Sequence, residues 1–106
     1  MIKAVMYWNR MRLEVEGHAN AAPKGEDIVC AGASMLTAAL IGILEDAEAR
    51  GRMIQEWKDT GQQLSIWADP KIGNTVEMKS YFKMCVKGLQ MLQEQYPKNV
   101  EIREVY

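Results

Sequence analysis

Residues 2–16 read Ile2-Lys3-Ala4-Val5-Met6-Tyr7-Trp8-Asn9-Arg10-Met11-Arg12-Leu13-Glu14-Val15-Glu16, and this stretch sets the class of fold. Leu13 and Val15 alternate with Arg12, Glu14 and Glu16, the period-two pattern of a strand with one face buried. Residues 2–8 form a second strand-like run, and Asn9-Arg10-Met11 between them is short enough for a hairpin turn. The chain therefore opens on an antiparallel pair.

Working outward, residues 17–26 hold Gly17, Asn20, Pro23, Gly25 and three alanines, with little to anchor them, which predicts a mobile loop leading into a helix. From Asp27 to Arg50 the period changes to that of a helix, with Ile28, Ala31, Met35, Ala38/Ala39 and Ile43 at three-four spacing. Asp27 suits an N-cap or a first-turn acid, and Gly51 suits a stop. Residues 52–58 and 62–68 read as a second strand pair about Asp59-Thr60-Gly61, where glycine supplies the turn's backbone angle. Asp69–Asn74 is a loop, and Asn74 or Thr75 caps a second helix running to Tyr96, marked by Val76, Phe82, Cys85, Leu89 and Leu92 and ended by Pro97. Val100, Ile102 and Val105 alternate in a last strand over residues 99–105. The order β-β-α-β-β-α-β predicts an α/β fold of the α+β type. It is a two-layer sandwich with both helices packed on one face of a mostly antiparallel sheet.

A length of 106 residues fits one domain, 1–106. Hydrophobic residues at 48% and charged residues at 25% are ordinary for a globular chain. Thirteen basic against fourteen acidic residues leave a net charge of -1, so no nucleic-acid partner and no anionic membrane is expected. No window reads as a bilayer span and the N-terminus lacks a signal-peptide pattern, which makes a cytoplasmic location the expectation. In a reducing cytosol Cys30 and Cys85 stay thiols. With one histidine and no Cys-x-x-Cys, neither a metal site nor any other cofactor is expected.

The chemistry-bearing residues are His18 and, twelve positions later, Cys30. On the reading above Cys30 lies in the first helical turn, where unpartnered amides favour a thiolate and can donate to an oxyanion. Asp27 and Ser34, at i−3 and i+4, share its helical face. Ala31-Gly32-Ala33 leave room for a peptide backbone, and Gly17 permits a tight strand exit before His18. The bland alternative is a small buried hydrophobe at Cys30 and a polar loop residue at His18. Cys85, between Met84 and Val86 in mid-helix, reads as core.

Gly17-His18-Ala19, a glycine-containing loop, and Asp27-Ile28-Val29-Cys30-Ala31 followed by Ser34 resemble the ribosomal-processing cysteine proteases of the Prp family, over nearly the whole chain. The resemblance implies a cysteine endopeptidase that removes the short N-terminal extension of the large-subunit ribosomal protein bL27. It implies a homodimer, with an apolar, aromatic-containing peptide held in a groove beside a flexible loop. Cys30 would be the nucleophile and His18 the general base, with Asp27 and Ser34 at motif positions that cap and order the helix or touch the reaction. The loop of residues 19–26, including Ala19, Asn20, Pro23 and Gly25, would gate the groove. A glycine commonly follows Gly-His-Ala in the family, whereas Asn20-Ala21-Ala22-Pro23 stands here, a stiffer gate.

Two other functions fit the same residues. One is a non-catalytic peptide- or protein-binding module of ribosome assembly, with Cys30 as packing. The other is an interaction protein that associates through exposed Trp8, Trp57 and Trp67.

Overall fold

The computed structural model describes residues 1–17 and 24–106, with the side chains of residues 24–27 left out. His18 and the loop positions Ala19, Asn20 and Pro23 therefore lie outside the described residues, as do the side chains of Gly25 and Asp27.

The elements are β1 (Ile2–Tyr7), β2 (Arg12–Glu16), α1 (Lys24–Ala49), β3 (Met53–Asp59), β4 (Gln63–Pro70), α2 (Thr75–Gln95) and β5 (Val100–Val105). They join in one sheet of order β3-β4-β2-β1-β5. Three of its pairings are antiparallel, and β5 lies parallel to β1, with Ile2 opposite Val100 and Tyr7 opposite Val105. That parallel register is reached through α2, a crossover of the kind parallel neighbours require.

One face of the sheet is covered. Ala4, Met6, Leu13, Ile66, Ala68 and Met53 point from it towards Val29, Leu40 and Leu44 of α1 and Met78, Phe82 and Leu89 of α2, and all are buried in one core. The opposite face carries the charged alternates of the same strands, such as Arg12 and Glu14, which pair at 3.0 Å. An antiparallel sheet open on one side gives this inside–outside alternation.

Where a helix meets its neighbour, two glycines admit close approach. A side chain at Gly32 would press on Leu92, and one at Gly88 would strike Leu36. Gly32 therefore serves the packing of α1 on α2, which corrects the expectation that it keeps the site open.

Other corrections concern α1. The helix begins at Lys24, so Asp27 is inside it and is not its N-cap, and the predicted loop is shorter by three residues. Lys24 and Glu26 are good helix formers, and the cost of Gly25, about 1 kcal/mol, is outweighed within a helix of 26 residues. The apolar stripe chosen from the sequence also faces outward. Ile28 is 56% exposed, Met35 71% and Ile43 39%, while Val29, Ala33, Leu40, Leu44 and Ala47 fill the core. Both stripes have helical spacing, because no charge interrupts residues 28–44. For the same reason Ile28–Ala49 is long and apolar enough to cross a bilayer by length and composition, contrary to expectation, although in this fold one side of it packs on the sheet.

Candidate active site

The sheet order carries the N-terminal half of α1 over the ends of β2 and β4. There the elements leave a cleft of about 260 Å³. Cys30, Ala33, Ser34 and Thr37 form its helical wall. Ile2, Val15 and Leu64 form an apolar floor, and Asp59, Gly61, Gln62 and Gln63 of the β3–β4 turn form the facing wall. Gly17 closes the remaining corner.

Cys30 is half-buried, packs against the core and is one of the residues that line the cleft. It is the seventh residue of α1, in the second turn, which corrects the first-turn expectation. The unpartnered amides of an α-helix belong to its first four residues, and a helix charge effect fades within that turn. Cys30 therefore sits one turn above those groups, and its own N–H belongs to the helical ladder. Ser34 follows one turn later, exposed and on the same wall, as the helical spacing predicted. Asp27 lies one turn before Cys30 in the same helix.

Gly17 has φ +86, and a Cβ there would collide with the main-chain carbonyl of Met1. Only glycine meets both demands without strain. This residue, bonded directly to His18, lines the cleft that holds Cys30.

Thr37 is the buried polar residue of the described core, and it is satisfied locally: its hydroxyl donates to the carbonyls of Ala33 at 3.0 Å and Ser34 at 3.2 Å. The facing turn is braced as well. Asp59 Oδ1 accepts the Gly61 N–H at 2.8 Å, and the Thr60 N–H donates to the Gln63 carbonyl at 3.0 Å. Gly61, at φ +86, supplies the turn angle predicted for it. None of Asp59, Gln62, Gln63, Leu64, Val15 and Ile2 stands out in the sequence as a site residue. Their nearness to Cys30 follows from β4 pairing with β2, with Glu16 opposite Gln63 and Val15 opposite Leu64.

Cys85 behaves as core. It is 3% exposed, and burial pushes its thiol up to about 12. Trp57 and Trp67 line one surface cleft together with Arg12, and Trp8 is not among its lining residues. Trp8 donates to Glu104 at 2.9 Å and stacks on Tyr106, Trp57 donates to Glu45 of α1 at 3.4 Å, and Trp67 pairs with Arg12 across the sheet.

A half-buried cysteine in a cleft, with the chain running from the cleft into a lone histidine, is the arrangement expected of a thiol enzyme. The family model for cysteine protease Prp matches residues 1–101. The chain belongs to the cysteine protease Prp family. It is accordingly a hydrolase of the cysteine protease type.

Solved structures of similar fold agree. The essential ribosomal processing protease Prp from S. aureus, in complex with a substrate peptide, aligns with TM-score 0.75 and 23% identity, covering 98% of this chain and 99% of the other. The same S. aureus protease with a covalently linked product peptide aligns with TM-score 0.68 and 26% identity, over 98% and 99% of the two chains. A Streptococcus mutans protein aligns with TM-score 0.70 and 22% identity over 98% and 91%. No curated protein matches the sequence.

Proposed function

We propose that the chain is a cytoplasmic endopeptidase of ribosome maturation that removes the N-terminal extension of ribosomal protein bL27 or a related extension, working through a Cys30–His18 dyad. The observation that carries this reading is the cleft: it holds Cys30 and Gly17 together, and Gly17 immediately precedes the molecule's one histidine. The peptide complexes of the similar S. aureus protease support the substrate class.

In the mechanism, His18 takes the proton of the Cys30 thiol, and the thiolate sulfur adds to the peptide carbonyl carbon. Collapse of the tetrahedral adduct breaks the C–N bond, and the amine leaves with the proton from His18. Water, giving a proton to His18, attacks the resulting thioester; the carboxylic acid departs and Cys30 regains its proton. Asp27 and Ser34, one turn either side of Cys30, help to set the helical wall on which the thiol stands.

A homodimer accompanies this reading. The outward stripe of α1, with Ile28, Met35 and Ile43, and the exposed Met84 and Met91 of α2 make an apolar surface that a second copy would cover.

The test is incubation with a peptide carrying the extended bL27 N-terminus, read by mass. Wild-type protein yields two fragments and the Cys30→Ala variant yields none. Cleavage by Cys30→Ala at the wild-type rate would refute the proposal.

A further inference from the structure

On the face of the sheet away from the helices, the strand register sets two rows of side chains. One runs Val105, Tyr7, Arg12, Trp67 and Glu56 from β5 to β3; the next runs Arg103, Val5, Glu14, Ser65 and Lys58. Tyr7 and Trp67 are two strands apart, a separation of about 10 Å, with Arg12 between them. Both aromatic residues are half-buried, so each keeps part of its surface in solvent. Trp67, Arg12, Ser65 and Lys58 line a cleft of about 310 Å³. Trp57 lines it from the edge strand, but its indole N–H goes to Glu45 of α1, which leaves Trp67 as the ring of this face.

The whole-chain charge of -1 hides the composition of this strip. Arg12, Lys58 and Arg103 stand on the two rows and Arg10 beside them, against the carboxylates of Glu14 and Glu56. Arg10 lies over the Tyr7 ring, 5.6 Å from its centroid, and Arg12 Nε is 3.0 Å from Glu14 Oε1, so one of the two carboxylates already has its counter-charge. Glu16 and Glu101 lie further along their strands and Asp69 lies past Trp67, which confines the positive strip to these rows. Aromatic rings with cations between them on an open sheet suit a single-stranded nucleic acid, whose bases stack while its phosphates meet the cations. Glu56 repels a phosphate, yet opposite Trp67 it is placed to accept from the ribose hydroxyl that RNA has and DNA lacks.

We propose that Tyr7 and Trp67 form a stacking platform for single-stranded RNA, with Arg10, Lys58 and Arg103 on its phosphates and Glu56 on a ribose hydroxyl. The RNA crosses the strands from the β3 edge to the β5 edge. It lies on the opposite side of the sheet from Cys30, so it leaves the peptide cleft open and does not depend on the peptidase reading.

The experiment measures fluorescence anisotropy of labelled octauridylate with the whole protein, starting at about 50 mM salt, beside the matching deoxy-oligonucleotide and polyglutamate. The expected result is binding of the RNA whose affinity falls with salt at a log–log slope of about -2, roughly 0.7 for each of three phosphates. Trp67→Ala and Tyr7→Ala each weaken it by at least about fivefold, whereas Trp67→Phe, which keeps a ring, retains most of it. Lys58→Gln, at an exposed position, makes the slope shallower by about 0.7 and keeps the test open should Trp67→Ala fail to fold. Glu56→Ala raises DNA binding and narrows the preference for RNA. No binding at low salt, or binding unmoved by the Tyr7, Trp67 and Lys58 variants, overturns the platform. Equal affinity of the wild type for DNA overturns the assignment to RNA, and polyglutamate bound as tightly as RNA overturns it in favour of an acidic protein partner.

Discussion

Gly17 lies so close against the carbonyl of Met1 that no side chain fits between them, and its φ of +86 is one that other residues rarely adopt. The contact ties the end of β2 to the start of β1 at the rim of the Cys30 cleft. Gly17→Ala must either strain the backbone or push the two main chains apart. The expected cost is about 1–3 kcal/mol in urea unfolding. Cleavage of the bL27-type peptide falls by more than that loss of folded protein explains, because the displaced chain leads directly into His18. A variant that unfolds and cleaves like wild type contradicts this.

Much of the fold was legible in the sequence because it is local. The alternation at Leu13 and Val15, the glycine at 61 and the stop at Pro97 each act within a few residues. The strand bounds moved only slightly: β4 continues to Pro70, where the residue sits at the end of the strand opposite Met53. What the sequence hid is non-local. Nothing near Leu64 or Asp59 announces that β4 will lie beside β2 and bring that turn to Cys30. In α1 the difficulty is different, since a helix without charges from Ile28 to Leu44 has two apolar stripes, and spacing alone does not say which one meets the sheet.

That second stripe leads to a test of association. Met35 is 71% exposed, so Met35→Glu costs the monomer little, within about 0.5 kcal/mol. If two copies meet through α1, the substitution places a charge in the apolar contact and sedimentation equilibrium gives a monomer where wild type gives a dimer. A dimer of undiminished strength in the variant would remove α1 from the interface.

Away from the cleft, Tyr81 donates its hydroxyl to Glu77 at 2.6 Å, and Arg52 pairs with the same carboxylate. The Tyr81 hydrogen bond, then that from Arg52, holds Glu77 below the usual carboxylate range; its acceptance by Glu77 pushes the Tyr81 phenol up. The signs follow from linkage. The contribution of Glu77 is present above the ordinary glutamate value and fades as pH falls through the lowered one. That of Tyr81 is present below the ordinary phenol value and fades as pH rises through the raised one. Tyr81→Phe should therefore narrow the stability gap to wild type at both extremes and leave it widest between them. An NMR titration should show Glu77 protonating at higher pH in Tyr81→Phe than in wild type; an unmoved Glu77 would contradict the assignment.

The two cysteines supply the sharpest contrast in reactivity. Cys85 is buried between the helices and the sheet with its thiol pushed up to about 12, so in the folded protein it has almost no thiolate at neutral pH and little access to reagent. Cys30 lines the cleft and is only half-buried, and in the proposed reaction His18 takes its proton. Iodoacetamide at pH 7 should therefore add one carbamidomethyl group, at Cys30, and abolish peptide cleavage. His18→Ala should slow that labelling by at least about tenfold, since the imidazole is the base the thiol depends on. Cys85→Ala should leave labelling at Cys30 and cleavage intact, while lowering stability by about 1 kcal/mol through the lost packing. Slow, equal labelling of both cysteines, indifferent to His18→Ala, would instead support a binding module in which Cys30 only fills space.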